Sequence, residues 1–201
     1  KKLKKGDTYV SILINETSEV ILENIRRIIR QFKKVNIVTN HIEKFKKLEE
    51  QILEQEGIMI NVSNNKRKSL SKSKIIINVD FPTELINKYQ INEDAIIINL
   101  RGNVKINKKR FNGLDINDYE IESKNYEEFD YEKENLYYKK DIYESQLYLN
   151  QPLEYIERKI AKDKVKILYL EGNKSKLWKW ELSPFFLKFY IKAFLFFQNI
   201  I

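Results

Sequence analysis

The fold is decided by residues 8–32, which read TYVSILINETSEVILENIRRIIRQF. The segment Tyr9–Ile14 is an apolar run rich in branched side chains, which is typical of a buried strand. Asn15–Ser18 is polar and interrupts the run, and Val20–Phe32 then repeats apolar residues at helical spacing. The stretch therefore predicts a strand, a short polar turn and an amphipathic helix.

Apolar runs of the same kind recur up to about residue 100, separated by segments of helical pattern. The further predicted strands are Val35–Thr39, Ile58–Val62, Ile75–Val79 and Ala95–Leu100, and the further predicted helices are His41–Glu56 and Thr83–Tyr89. Three of the five strands are continuous apolar runs, which indicates burial on both faces, as in a parallel sheet covered by helices. With right-handed crossovers, the predicted fold class is α/β, a doubly wound, mainly parallel Rossmann-like sheet of about five βα strands.

Local signals mark the ends of the second helix. Asn40 precedes it and is predicted as its N-cap, and Gly57 follows it as the C-cap. The next segment, Ser63–Ser73, is polar and basic around a single apolar residue, Leu70. It predicts a loop that holds about one helical turn.

Beyond Gly102 the pattern changes to a smaller C-terminal appendage. Its predicted parts are a ribbon along the sheet edge at Val104–Ile121, an exposed Tyr-rich segment at Ser123–Lys140, a helix at Tyr143–Ala161 and a hairpin of Val165–Leu170 with Leu177–Leu182. The predicted division is a Rossmann-like domain at 1–122, a helix-plus-hairpin appendage at 123–182 and a Phe-rich tail at 183–201.

The bulk composition narrows the functional classes. The 201 residues contain no Cys, which excludes disulfides, thiolate metal sites and Cys nucleophiles. The net charge is +8, but basic and acidic residues are interspersed, so a nucleic-acid partner is not favoured. Residues 1–7 show no signal-peptide pattern, which predicts a cytoplasmic protein, and the heavy use of Ile, Asn and Lys is typical of an AT-rich bacterial genome.

Three segments carry a resemblance to a known group of proteins. They are VNIVTNHIEKFKKL at 35–48, SKIIINVD at 73–80 and DAIIINL at 94–100. They resemble the second, fourth and fifth strands, with their turns, of the nucleotide-binding domain of shikimate dehydrogenases and glutamyl-tRNA reductases. The resemblance implies an NAD(P)-binding Rossmann domain over residues 8–100. It brings no catalytic residue to this chain, because the Lys and Asp that shikimate dehydrogenases use belong largely to a substrate domain.

The glycine motif of such domains is missing at the first strand-to-helix turn. A dinucleotide domain places G-x-G-x-x-G there, so that the pyrophosphate can approach the backbone amides. This chain has Asn15-Glu16-Thr17-Ser18-Glu19 instead. The side chains occupy the space that the pyrophosphate needs, and two of them add negative charge. We therefore expect a degenerate dinucleotide site without a bound cofactor.

NADP is the alternative cofactor, because the turn after the second strand is neutral and the next crossover is basic. Neutral and basic residues suit the adenosine phosphate of NADP, whereas an acidic residue would suit NAD. The candidate cofactor-binding residues are Asn15, Thr17, Ser18, Thr39, Asn40, Lys66, Arg67 and Asn78. For the turn after the second strand and the basic crossover, an N-cap followed by a solvated loop is the ordinary structural explanation, and the sequence favours it.

The remaining polar residues predict neither a catalytic nor a metal site. His41 is the only histidine, which excludes a multi-histidine metal site, and it is expected at the surface. Asp80 follows a buried strand, where ligand-binding groups often lie, but we expect it to form a turn or cap a helix. Asp115 and Asp118 lie beside Gly113 and suit either a metal ion or a turn.

The tail at 183–201 differs from the Ile-rich segments before it because it holds six Phe residues. It fits an amphipathic membrane helix, a partner-binding helix, a core helix or an out-of-frame extension. We expect self-association, an unidentified protein partner or membrane contact through this tail. The leading interpretation of the whole chain is a non-catalytic binding or regulatory module, and the alternative is an NADP-dependent oxidoreductase with an unorthodox phosphate-binding loop.

Overall fold

The computed structural model describes residues 8–32, 34–81, 89–100, 111–122, 140–141, 143–144, 153–172 and 176–178. The chain divides into two compact units, one of residues 1–117 with 200–201 and one of residues 118–199. Three predicted segments fall wholly or almost wholly outside the described residues: the helix at 83–89, the charged segment at 123–140 and the Phe-rich tail.

The first unit alternates strands and helices. Its strands are β1 (Tyr9–Leu13), β2 (Lys34–Val38), β3 (Asn61–Ser63), β4 (Ile75–Asn78), β5 (Ile96–Asn99) and β6 (Leu114–Ile116). Its described helices are α1 (Glu19–Ile29), α2 (Ile42–Glu56) and α3 (Lys66–Lys72). All five predicted strands are present, although β3 begins at Asn61 instead of the predicted Ile58, and β6 is a sixth.

The six strands form one sheet in the order β3-β2-β1-β4-β5-β6, and every pair is parallel. This order is that of the Rossmann fold, in which the chain starts at the centre, winds to one edge and returns to wind to the other. The predicted doubly wound parallel sheet is therefore confirmed. The strand order reverses between β1 and β4, where Val10 lies opposite Ile75.

The core lies around the central strands and α1. All four residues of β4 are buried, as expected for a strand covered on both faces. The helical spacing of Val20–Phe32 predicts an apolar stripe, and all its members are at most 3% exposed: Ile21, Ile25, Ile28, Ile29 and Phe32. Full burial of such a side chain contributes roughly 1.5–3 kcal/mol, so this stripe stabilises the packing of α1 on the sheet.

The segment Ser63–Ser73, predicted as a loop with about one helical turn, is more helical than expected, because seven of its residues form the helix α3. The Asn65 side-chain oxygen accepts a hydrogen bond from the Lys68 amide at 3.0 Å and caps the helix. Leu70 is completely buried, in a cluster with Ile76 and Phe81. A single apolar residue gives no helical period in sequence, so this helix depends on tertiary burial.

The prediction of one ribbon at Val104–Ile121 is also wrong. Its described part contains β6, which is parallel to β5, and β7 (Asp118–Glu122), which belongs to a separate sheet in the second unit. The first compact unit ends at residue 117, so β6 and β7 belong to different units. Strand direction and sheet membership depend on distant partners, which a weakly alternating pattern does not specify.

The second unit contains a three-stranded antiparallel sheet in the order β7-β8-β9, with β8 at Lys166–Glu171 and β9 at Lys176–Trp178. Leu170 of β8 lies opposite Leu177 of β9, which confirms the predicted hairpin. The helix α4 (Leu153–Lys162) lies within the predicted helix Tyr143–Ala161 but for its last residue. The segment from 145 to 152 lies outside the described residues.

Candidate functional site at the carboxyl edge of the parallel sheet

The candidate site lies where the strand order reverses, at the carboxyl ends of β1 and β4. In open α/β sheets, ligands bind in the crevice at this position, because the loops leave the two strands in opposite directions. The residues that follow the two strands here are the polar turn beginning at Asn15 and the segment Val79–Phe81. The predicted site residues after β2 and β3 belong to the same edge of the sheet.

The turn between β1 and α1 has no glycine and is organised by its own polar side chains. The Ser18 hydroxyl accepts a hydrogen bond from the Ile21 amide at 3.3 Å, so Ser18 rather than Thr17 is the N-cap. The side chain of Thr17 is exposed. Glu16 and Glu19 are exposed as well. These two carboxylates therefore do not fill the interior of the turn.

Asp80 occupies the backbone donors of this turn. Its Oδ1 accepts from the Asn15 amide at 2.8 Å, and its Oδ2 accepts from the Asn15 amide at 3.0 Å and from the Glu16 amide at 2.7 Å. These donors lie more than sixty residues away in sequence, so Asp80 makes a long-range contact in addition to the turn or helix cap expected from the sequence, whose partners at 82–88 lie outside the described residues. Because β4 pairs directly with β1, a carboxylate two residues beyond β4 reaches the end of β1.

The end of β2 is joined to the same turn through Asn15. The Asn15 Oδ1 accepts from the Asn40 amide at 2.9 Å. The Thr39 hydroxyl is buried and accepts from the His41 amide at 3.0 Å. The prediction that Asn40 is the N-cap of α2 is wrong: His41 holds that position and makes no capping bond with its side chain. Asn15, Thr39 and Asn40 thus lie close together, and their described hydrogen bonds join them to other groups of the protein.

Asn78 is the last residue of β4, and its side chain hydrogen-bonds across the turn that carries Asp80. Its Oδ1 accepts from the Phe81 amide at 3.0 Å, and its Nδ2 faces the Phe81 carbonyl oxygen at 3.4 Å. A second pair of side-chain amides lies further along the sheet. The Nδ2 of Asn99, the last residue of β5, donates to the Oδ1 of Asn117, which follows β6, at 2.7 Å. Asn78 is completely buried. The geometry therefore gives this predicted site residue a structural role, that of holding the Asp80 turn in place.

Lys66 and Arg67 begin α3 after the edge strand β3. The Lys66 ammonium lies 5.5 Å from the centre of the Phe81 ring, next in sequence to Asp80. Arg67 is exposed. Lys66 thus lies near the crevice, whereas no contact of the described residues connects Arg67 to it.

The other polar candidates give no catalytic or metal site within the described part of the chain. His41 is exposed, as expected. Asp115 is buried in β6, whereas Asp118 belongs to the second unit and pairs with Lys140. Among the described residues, no cluster of three potential metal ligands occurs, and no helix is long and apolar enough to cross a membrane.

The strand order and this crevice define a Rossmann-like α/β domain. No family model matches the chain, and no curated protein matches it. A solved structure with a similar fold is the reductive aminase from Aspergillus terreus in complex with NADPH and ethyl-5-oxohexanoate, at 12% identity and a TM-score of 0.34, covering 48% of this chain and 32% of that one.

A second similar structure is the Δ1-pyrroline-2-carboxylate reductase from Thermococcus litoralis in complex with NADH and L-proline. It has 18% identity and a TM-score of 0.35, and the match covers 56% of this chain and 34% of that one. The chain thus matches about a third of the length of either structure. Similarity at this level identifies no activity. The more specific resemblance to shikimate dehydrogenases stays a prediction.

The second unit holds two partly buried groups of Tyr, Lys and carboxylate side chains that the sequence did not predict. In one, the Tyr119 hydroxyl donates to Glu144, and Lys140 pairs with Asp118. In the other, the Tyr143 hydroxyl and Lys159 both donate to Asp163, at 2.8 and 2.6 Å. Lys159 and Asp163 form a local i,i+4 pair, but the other three contacts join residues at least twenty positions apart, so no local pattern predicts them.

Glu144 is the titratable group of the first of these two clusters. Burial raises the pKa of Glu144 to about 7, outweighing the Tyr119 hydrogen bond and the Lys140 charge, both of which lower it. The folded chain therefore binds this proton more tightly than the unfolded chain does. The corresponding stability is fully present below the ordinary pKa of 4.5 and is lost as the pH rises through about 7.

The substitution Glu144→Gln is expected to remove this pH dependence, because an amide stays neutral. Above pH 7, we expect the variant to unfold with a free energy about 2 kcal/mol higher than that of the original chain, and near pH 4 the two should be equal. Urea denaturation from pH 4 to pH 8.5 measures the difference. The matched control is Glu157→Gln on the exposed face of α4, for which the difference should stay flat. If the free energies of unfolding of Glu144→Gln and of the original chain changed with pH in parallel, the prediction would be contradicted.

Proposed function

We propose that this chain is a Rossmann-like binding or regulatory module without a catalytic role, in which an internal carboxylate closes the dinucleotide position. The observation that carries the proposal is the contact of Asp80 with the amides of Asn15 and Glu16. In dinucleotide-binding Rossmann domains, the pyrophosphate lies at the turn after the first strand and accepts from its backbone amides. Here the carboxylate already accepts from two donors of that turn.

Electrostatics and space add to this exclusion. A phosphate oxygen about 4 Å from the Asp80 carboxylate would be opposed by roughly 4 kcal/mol at an effective dielectric constant of 20. The turn has four side chains from Asn15 to Ser18, where glycines normally leave room for the ligand. To bind a dinucleotide, the chain would have to displace Asp80 and leave that carboxylate without its two amide partners.

Calorimetric titration with NAD, NADH, NADP and NADPH tests the proposal. Both solved structures described above hold a nicotinamide dinucleotide, which makes these four the appropriate ligands. We expect no binding in the micromolar range for any of them. Micromolar binding of any one by the original chain would overturn the proposed closure of the site.

The second candidate function is an NADP-dependent oxidoreductase with an unorthodox phosphate-binding loop. Two observations favour it: Glu16 and Glu19 are exposed rather than directed into a closed interior, and Lys66 lies near the crevice. In this alternative, Asp80 moves away when NADP binds. The adenosine phosphate then contacts Lys66 and Arg67.

Charge reversal of α3 distinguishes the two functions. The double variant Lys66→Glu, Arg67→Glu is expected to give the same calorimetric result as the original chain, because no NADP binding is present to lose. Under the alternative, the original chain binds NADP and the double variant loses at least tenfold in affinity. Lys72→Glu at the far end of α3 is the matched control for a change of charge on this helix.

A module of this kind acts through a partner, and we propose a protein partner or self-association rather than nucleic acid. Acidic and basic side chains alternate along the exposed part of α2, and Lys46 pairs with Glu43 at 2.8 Å, so the helix does not form a continuous basic surface. Membrane contact through the Phe-rich tail is the alternative. Light scattering with and without lipid vesicles separates these possibilities.

A further inference from the structure

The strand β3 (Asn61–Ser63) lies at one edge of the parallel sheet, and among the described strands it pairs only with β2. The Ser63 carbonyl accepts from the Thr39 amide, just beyond β2, at 3.0 Å. Successive residues of a strand direct their main-chain groups to opposite sides, so Val62 and Ile60 direct theirs away from β2. Within the described part of the chain, neither makes a main-chain hydrogen bond on that open side.

The sequence of this edge lacks the residues that usually keep edge strands from pairing with another chain. Such strands are protected by charged side chains or proline. Residues 57–65 read GIMINVSNN and contain neither, although Lys, Arg, Asp and Glu make up 33% of the chain. β3 is short, but the strand-like residues 58–60 precede it directly and lengthen the available edge. The edge is therefore open to a further strand.

Two large apolar side chains are exposed in the segments next to this edge. Met59, two residues before β3, is 78% exposed, and Leu53, in the last turn of α2, is 50% exposed. At 100° per residue, Leu53 lies on the side of α2 away from Lys47 and Gln51, which line its groove with α1. A partner at the edge of β3 would remove apolar surface from water, which favours association.

The charges at the two ends of the edge indicate which partner fits. Beyond the carboxyl end of β3, α3 begins with Lys66, Arg67 and Lys68. Before the amino end, the last turn of α2 has no basic residue, and Glu54 is exposed. An antiparallel copy of β3 brings the basic end of each chain beside the acidic end of the other, whereas a parallel copy brings like charges together. The edge is thus complementary to itself.

We propose that two copies of the chain pair through β3 in an antiparallel arrangement with two-fold symmetry about Asn61. Ile60 of each copy exchanges main-chain hydrogen bonds with Val62 of the other, and one sheet then runs through both chains. These bonds leave the Asn64 carbonyl to its contact with the Lys66 amide at 2.9 Å. The pairing rests on the proposed function only in taking self-association as the interaction of the module, and it does not require a closed dinucleotide position.

Amide hydrogen exchange of the original full chain tests the pairing without a substitution. The Val62 amide is open in a single chain and bonded in the pair, whereas the Ser63 amide faces β2 in both. Between about 10 μM and about 1 mM protein, we expect exchange at Val62 to slow at least roughly threefold and exchange at Ser63 to stay constant. Exchange at Val62 that is equally fast at every concentration would overturn the proposal.

Single cysteines distinguish this pairing from association through any other surface, because the chain has no Cys of its own. Asn61 faces its own counterpart in a pair without mutual hydrogen bonds, where Cα atoms lie about 4.5 Å apart, within disulfide range. Asn61→Cys should therefore cross-link under mild oxidation several-fold faster than Met59→Cys, the matched control. The two Met59 residues of the pair are about 13 Å apart along the strands, although Met59 is 78% exposed.

A proline at residue 62 tests the hydrogen bonds themselves. Val62→Pro removes the outward amide but none that bonds β2, and it should abolish the cross-linking of Asn61→Cys. Val62→Thr keeps the amide and is the matched control, with unchanged cross-linking. Equal cross-linking of Asn61→Cys and Met59→Cys would overturn the proposal, even if Val62→Pro failed to fold.

Discussion

The substitution Asp80→Ala is expected to lower the free energy of unfolding by about 2–3 kcal/mol, because it leaves two backbone amides without their charged acceptor. It also opens an anion position at the turn after β1. Inorganic phosphate or sulfate should therefore stabilise Asp80→Ala more than the original chain, since an anion that binds only the folded state raises its stability. Urea denaturation with and without phosphate measures both effects.

Two further variants control this result. Asp80→Asn keeps a side-chain oxygen but no charge, and we expect roughly half the loss of Asp80→Ala. Glu54→Ala removes an exposed carboxylate of α2 and should change stability by less than about 0.5 kcal/mol. If Asp80→Ala were as stable as the original chain and insensitive to phosphate, the amides would not depend on Asp80, and the proposed closure of the site would fail with them.

The substitution Gly113→Ala is expected to destabilise the first unit by about 3 kcal/mol, at the upper end of the usual cost of overpacking. A Cβ at this position would overlap the carbonyl oxygen of Ala95 and lie 2.6 Å from the Phe111 ring. Ala95 precedes β5, and its carbonyl accepts from the Leu114 amide at the start of β6. The backbone must shift to admit the methyl group, and the pairing of β6 with β5 is lost first.

Gly57→Ala is the matched control, because Gly57 has a left-handed φ of +64° with nothing within 4 Å of an added Cβ. It should cost only the strain of that conformation, roughly 1–2 kcal/mol. Thermal melting of both variants checks the ranking, and amide exchange in β6 locates the damage. If Gly113→Ala were no more harmful than Gly57→Ala, the close approach of the backbones of Gly113 and Ala95 would be wrong.

The strands and helices could be predicted from the sequence more readily than the contacts of the candidate site. Strand and helix positions followed from the spacing of apolar residues, which is a local property that reports burial. Asp80 was placed correctly at the carboxyl edge, but its contact with the amides of the turn after β1 was not predicted. A signal was available: in a parallel sheet, a carboxylate just beyond one strand lies near the turn after the adjacent strand.

The spacing of apolar residues also failed to predict elements that depend on a contact with a distant part of the chain. The helix α3 has only Leu70 to bury, and β6 is a three-residue strand whose direction depends on β5. Neither has a period that a sequence can display. The buried pairs of the second unit, such as Tyr143 with Asp163, join residues twenty positions apart and depend in the same way on tertiary packing.

By itself, the sequence determined the class of fold. Continuous apolar runs alternating with amphipathic helices can bury their surfaces only as a parallel sheet covered on both faces. It also determined the absence of the glycine motif and the C-cap at Gly57. The tertiary structure alone decided the order of the strands, and hence which polar groups meet. Because β1 lies beside β4, the carboxylate of Asp80 reaches amides that the sequence places more than sixty residues away.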